Sequence, residues 1–129
     1  MSTRTNLRPM VVMNAVDMSQ SETSLVTVLQ SITKAAYAVT WTGTSPVGTL
    51  SIQASNDYSI EPSGIVNNAG TWTTLTLQYN GSAVTTIPVS GNTGTGLIDI
   101  TTSAYAIRLI YTAASGTGKL TATIVGKVS

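Results

Sequence analysis

Apolar and polar residues alternate with a period of two along most of this chain. In "AAYAVTWTG" (35–43), Tyr37, Val39 and Trp41 fall on one face and Ala38, Thr40 and Thr42 on the other. In "TLSIQAS" (49–55), Leu50, Ile52 and Ala54 share a face. In "YAIRLIYTA", Tyr105, Ile107, Leu109 and Tyr111 alternate with Ala106, Arg108, Ile110 and Thr112. A two-residue period is the signature of a half-buried strand. Further strands are predicted over 10–16, 25–32, 71–79, 82–89, 97–100 and 119–127. Over 71–79 two registers compete: either Trp72 faces inward, or Thr73, Leu75 and Leu77 do. Residues 1–9 are polar and read as an extended arm, 16–24 as a loop or short helical turn, and 44–48 as a turn. Residues 56–70 form a long loop dense in turn formers, and 90–96 a glycine loop. Asn80-Gly81 is a strong type I′ hairpin signal.

"AASGTGKL" (113–120) invites comparison with a phosphate-binding loop. Such a loop needs a glycine where this chain has Ala113 and a Ser or Thr where it has Leu120. It must also open a helix, whose N-terminus receives the phosphate. Here alternating segments flank it on both sides, so Ser115–Gly118 is predicted to turn one antiparallel strand into the next.

About eight or nine short strands with no helical period argue for an all-β fold: an antiparallel β-sandwich, either jelly roll or immunoglobulin-like, with the jelly-roll type as the leading expectation, preceded by the N-terminal arm. At 129 residues the chain is read as one domain, 1–129. Folding a chain of this size buries roughly two-thirds of its surface, enough for a core without staples.

Composition narrows the chemistry. Only 9% of residues are charged and the net charge is +1, so nucleic acid and anionic lipid are not expected partners. Thr occurs 23 times, which suits strands and an uncharged polar surface. No apolar run suggests a signal peptide or a membrane helix. With no Cys and no His, the commonest general base, the thiol nucleophile and the usual zinc ligands are missing. The five carboxylates, Asp17, Glu22, Asp57, Glu61 and Asp99, are scattered over different segments. An enzyme is therefore not expected, nor a metal or cofactor. Asp57 with Glu61 matches no calcium loop, and Asp57 reads as a strand-end cap. Trp41, Trp72 and most of the tyrosines lie in phase with aliphatic residues, where core packing explains them.

Three stretches, "WTGTSPVGTLSIQASND", "GTWTTLTL" and "IDITTSAYAIRLIYTAASGTGKLTATIVGK", resemble a family of small bacteriophage virion proteins over roughly residues 36–127. "SND…W" is also similar to discoidin-like jelly rolls, many of which bind carbohydrate. The first resemblance implies a structural role in the particle, most readily as a capsid decoration or cement protein bridging major capsid subunits. Its place would be the virion surface, after synthesis in the bacterial host cytoplasm, with homo-oligomers expected. A neck, tail or fibre component is the alternative; a module attaching the particle to a host glycan is another. Where that family turns tightly between Asp57 and Trp72, this chain inserts "YSIEPSGIVNNAG".

Three sets of residues stand out as candidates for interaction or internal pairing. The arm, with Arg4 and Arg8, is expected to contact other chains. Tyr58, Ile60, Ile65 and Val66 place apolar groups in the inserted loop, which reads either as an exposed contact tip or as a flap folded over the sandwich. Arg108 needs an acceptor if it is buried; Asp57, ahead of Asp99, is the expected ion-pair partner. The other reading is an exposed Arg108 whose stem covers apolar surface.

Overall fold

The structure, a computed structural model, describes residues 6–29, 32–79 and 81–127. They form strands and turns only. In chain order these are β1 (Asn6–Asp17), β2 (Glu22–Thr23), β3 (Thr27–Val28), β4 (Lys34–Ser55), β5 (Ser59–Ile60), β6 (Val66–Asn68), β7 (Thr73–Thr74), β8 (Leu77–Tyr79), β9 (Ser82–Val84), β10 (Ile87–Ser90), β11 (Thr93–Thr101) and β12 (Ala106–Lys127).

Two of these strands, β4 and β12, are 22 residues long and pair antiparallel along their whole length. A straight strand of that length would span about 70 Å. A domain of this size has a radius of gyration of about 14 Å. The ribbon therefore has to bend, and it does so once. In β4 the bend falls at Ser45, with φ 47°, and the buried Pro46. In β12 it falls where the register slips between Ala113 and Thr117, around Gly116 with φ 80°. A bulge in each strand at one point is how strands pass from one sheet to the other.

On one side of the corner, residues 34–44 and 117–127 form a sheet with β1 and β11 at its edges. On the other side, residues 47–55 and 106–115 pair with β2 and β3 along one edge and with β7 and β10 along the other. Counting each long strand as two, β2 with β3 as one and β7 with β10 as one, and setting aside the small hairpins β5–β6 and β8–β9, the sandwich has eight strands. One sheet runs first, eighth, third, sixth; the other runs second, seventh, fourth, fifth. This is jelly-roll order, so the all-β sandwich read from the alternation stands.

The core lies between the sheets. Tyr37, Val39, Trp41, Leu120, Ala122 and Ile124 enter it from one sheet, and Leu50, Ile52, Ile107, Leu109 and Tyr111 from the other. Each fully buried aliphatic side chain contributes about 1.5–3 kcal/mol. Among the described residues, the Tyr37 hydroxyl inside this core has no partner in full hydrogen-bond geometry. Burial pushes its pKa up, and the nearby Thr27 hydroxyl offsets only part of the shift.

Several sequence expectations change. The turns predicted at 44–48 and 115–118 are the corner of the bent ribbon. The segments flanking Ser115–Gly118 do not pair with each other; both pair with β4. Positive-φ glycine and small residues serve a bulge as well as a hairpin, so composition alone does not separate them. The glycine loop at 90–96 shrinks to a turn, because β11 already begins at Thr93; a Cβ at Gly94 would collide with the Trp41 ring, so glycine is what lets this strand approach. Among the described residues of 25–32, Thr27–Val28 is strand. Leu77 is buried, Leu75 half-buried and Thr73 exposed, while Trp72 is half-buried, so the leucine register holds. Leu77–Tyr79 pairs with Ser82–Val84 across Gly81, which confirms the predicted hairpin. Of the arm read over 1–9, residues 6–9 belong to β1, with Asn6 opposite Lys127, and residues 1–5 lie outside the described residues. Arg4 lies outside the described residues.

The corner is pinned by Asn92, whose side-chain carbonyl accepts the Ser45 N–H at 2.7 Å while its backbone carbonyl accepts the Gly43 N–H at 2.7 Å. Met18 fills it from beneath, with its N–H on the Gly118 carbonyl and its side chain fully buried. A Cβ at Gly116 would land on the Ser45 carbonyl, at a φ that L-residues rarely adopt. Gly116→Ala is expected to lower stability by about 2–4 kcal/mol, combining the φ penalty with displacement of β4. Chemical denaturation of the variant measures this; an unchanged midpoint would show that the corner is not tight.

Candidate interaction tip

The inserted segment begins where β4 ends. Ser55 is buried, and its hydroxyl receives the N–H groups of Asp57 and Tyr58 while donating to Asp57 Oδ1 at 2.7 Å. Asn56 Oδ1 accepts the Tyr105 N–H at 2.9 Å. Asp57 Oδ1 also accepts the Thr71 N–H at 2.6 Å, across fourteen residues of chain. Each member of Ser55-Asn56-Asp57 thus ties down a different strand end. Asp57 is exposed, yet the Thr71 N–H and then the Ser55 hydroxyl hold its pKa below the ordinary 3.8.

Above this base stands a small hairpin, β5 with β6. Its turn closes through Glu61 N–H to the Ile65 carbonyl and Gly64 N–H to the Glu61 carbonyl, each at 2.8 Å, with Gly64 at φ 93°. Among the described residues, its two strands pair only with each other. An isolated two-stranded hairpin is marginal in water, so the base has to hold it. Tyr58 packs on Trp72 with ring centroids 5.8 Å apart, and Trp72 Nε1 donates to the Ala69 carbonyl. Gly70, at φ 89°, sits against Ser55, Tyr58 and Trp72, where a side chain would intrude.

Arg108 completes the base with no ion pair among the described residues. Its Nε donates to Gln53 Oε1 at 2.9 Å, and its guanidinium lies 4.2 Å from the centre of the Trp72 ring. Neither Asp57 nor Asp99 is its partner. The reason is register. Arg108 stands opposite Gln53 on the outer face of its sheet, half-buried, where a neutral amide and an aromatic face suffice. Desolvation alone lowers its pKa; no carboxylate acts on it. Asp99 is exposed on β11, in an open groove of about 590 Å³ that it shares with Lys34, Ala36, Thr101 and Val125.

The four apolar candidates divide. Tyr58 is 9% exposed and belongs to the base, so as a surface contact it is withdrawn. Ile60 (42%), Ile65 (61%) and Val66 (48%) are exposed on the hairpin, and the flap reading fails for them. Arg8 lies in β1, far from this cluster in sequence. The roles of Gln53 and Ser55 were missed from sequence. The signal for Gln53 was its place in the strand that alternates in phase with Arg108's own.

A sugar-stacking platform is not formed by Trp72, since Arg108 lies over its ring and Tyr58 packs against it. A polar hollow of about 280 Å³ does adjoin the base, lined by Ser55, Asn56, Thr71, Thr73, Thr102 and Ser103 among others, with no aromatic residue in its lining.

By sequence the chain matches no protein-family model and no curated protein. By structure it is similar to the SPBc2 prophage-derived protein YomS, with a TM-score of 0.61 over 97% of this chain and 96% of that one, at 10% identity. The two share a fold end to end.

Two outcomes are expected for the base. Arg108→Ala should cost about 1–2 kcal/mol, the scale of one hydrogen bond and a cation–π contact; a loss of several kcal/mol on denaturation would indicate a hidden carboxylate partner. Asp57 has a depressed folded pKa, so its contribution is present above the unfolded value and is lost as pH falls through the folded one. Acid titration of stability should therefore show a decline below about pH 4 that is smaller in Asp57→Asn; identical acid profiles would contradict the assigned hydrogen bonds.

Proposed function

We infer that this is a non-enzymatic structural protein of a bacteriophage particle, acting as a capsid decoration or cement protein. The observation that carries the reading is the tip: three exposed aliphatic side chains on a hairpin that is braced at its base and whose strands, among the described residues, pair only with each other. Exposed apolar clusters of this kind mark protein contacts. The end-to-end fold likeness to a prophage-derived protein supports a phage setting, as does the resemblance of residues 36–127 to small virion proteins. The partner is a major capsid protein or another virion protein, and the place is the particle surface. The rigid jelly roll holds the hairpin against a joint between subunits. Many symmetric copies then stabilise the shell by mass action, because each binds the assembled state and not the dissociated one.

The test uses phage particles stripped of this protein. Added back, the wild-type chain should bind heads and raise their disruption temperature. A variant with Ile60, Ile65 and Val66 all changed to Ser should bind at least about tenfold more weakly while melting as the wild type does. Equal binding by the variant would defeat the tip as the contact. Binding to tails rather than heads would move the protein to the neck, tail or fibre.

A further inference from the structure

The edges of the two sheets are not alike. On the first sheet, β1 carries Pro9 and three breaks of register against β12. On the second, the edge pieces β2, β3 and β7 are two residues each, and β10 is four residues with Pro88. Short strands, proline and bulges are the devices by which proteins keep sheet edges from pairing. Strand β11 has none of them. It runs nine residues in unbroken register against β4, with no proline and no lysine, and its other side is unpaired among the described residues. Leu97, at its middle, is 67% exposed.

We propose that β11 pairs with β11 of a second copy of this chain, antiparallel about a twofold axis at Leu97, joining the two four-stranded sheets into one. The strand is self-complementary in that register. Leu97 meets Leu97 on the outer face. Asp99 falls opposite Thr95, so the single charge of the strand never faces its own copy, and Thr93 falls opposite Thr101. On the inner face Ile98 falls opposite Gly96, where a side chain would meet nothing within 4 Å. The twofold at Leu97 is also the centre of the strand, so all nine residues find partners. Residues directly opposite in an antiparallel pair point to the same face, which keeps both cores on one side of the joined sheet. Beside the open edge lies a cleft of about 170 Å³ lined by Trp41, Leu50, Ile87, Pro88 and Ile98 among others. An added strand covers this apolar gap as well as satisfying backbone groups. A net charge of +1 opposes the approach of two copies only weakly.

The inference stands apart from the virion reading, since it concerns the purified chain alone. Sedimentation equilibrium at rising concentration should give a species of twice 13.3 kDa. Leu97→Lys and Leu97→Glu each place like charges face to face, and each alone should sediment as a monomer with an unchanged circular dichroism spectrum. Mixed in equal amounts they should restore the dimer. Val11→Lys, on the opposite edge strand, should leave it intact. Leu97→Cys supplies the only thiol in the chain and should yield a disulfide-linked dimer on mild oxidation of the folded protein. A wild-type monomer up to millimolar concentration, or a dimer indifferent to Leu97→Lys, would overturn the proposal. Failure of particle binding with the dimer intact would count against the virion reading alone.

Discussion

Everything in this fold follows from two strands that are too long to be straight. β4 and β12 hold each other through 22 residues, and a domain of 129 residues has no room for such a ribbon unless it folds on itself. The bend has to occur at the same place in both strands, or the ladder between them would tear. Ser45-Pro46 and Gly116 satisfy that condition, and Asn92 and Met18 lock it from either side. Once the corner is set, the inner faces of the two halves look at each other, and the other strands of the two sheets add on the four free edges, leaving the β5–β6 and β8–β9 hairpins outside them.

That constraint explains what could be read from sequence and what could not. The inward sets Tyr37-Val39-Trp41, Leu50-Ile52-Ala54 and Ile107-Leu109-Tyr111 were legible because alternation reports which face of a strand is buried. Alternation does not report which strand lies alongside. Gly116 therefore read as the middle of a hairpin, when the two segments it joins both pair with β4. The same limit hid Arg108's partner: counting carboxylates pointed to Asp57 and Asp99, whereas cross-strand register supplies Gln53, and the inserted loop brings Trp72 over the guanidinium. Tyr58 was misplaced because it follows a turn-rich motif, yet Ser55 turns the chain so that the ring comes back onto Trp72.

The division of labour on the surface is the functional consequence. Most of the outside is threonine, serine and small residues with little charge, which repels neighbours weakly. Exposed apolar side chains interrupt it at several points, among them Leu25, Val11 and Val125, and two of these places also have a backbone arrangement suited to contact. The hairpin carries aliphatic residues away from the core on a braced stalk, suited to a hydrophobic seat on another protein. β11 offers an unguarded edge, suited to a strand. The two proposed contacts, one for its own kind and one for a different surface, would let the molecule link neighbouring sites on an assembly.

The account rests on the bent ribbon behaving as one structural unit, and native-state amide hydrogen exchange reads that directly. Residues 34–44 and 117–127 on one side of the corner, and 47–55 and 106–115 on the other, should share a single opening free energy, the highest in the protein, with the 59–68 hairpin exchanging far sooner. Two distinct opening energies, one for each side of the corner, would show that the sheets are held as separate units and would contradict the account.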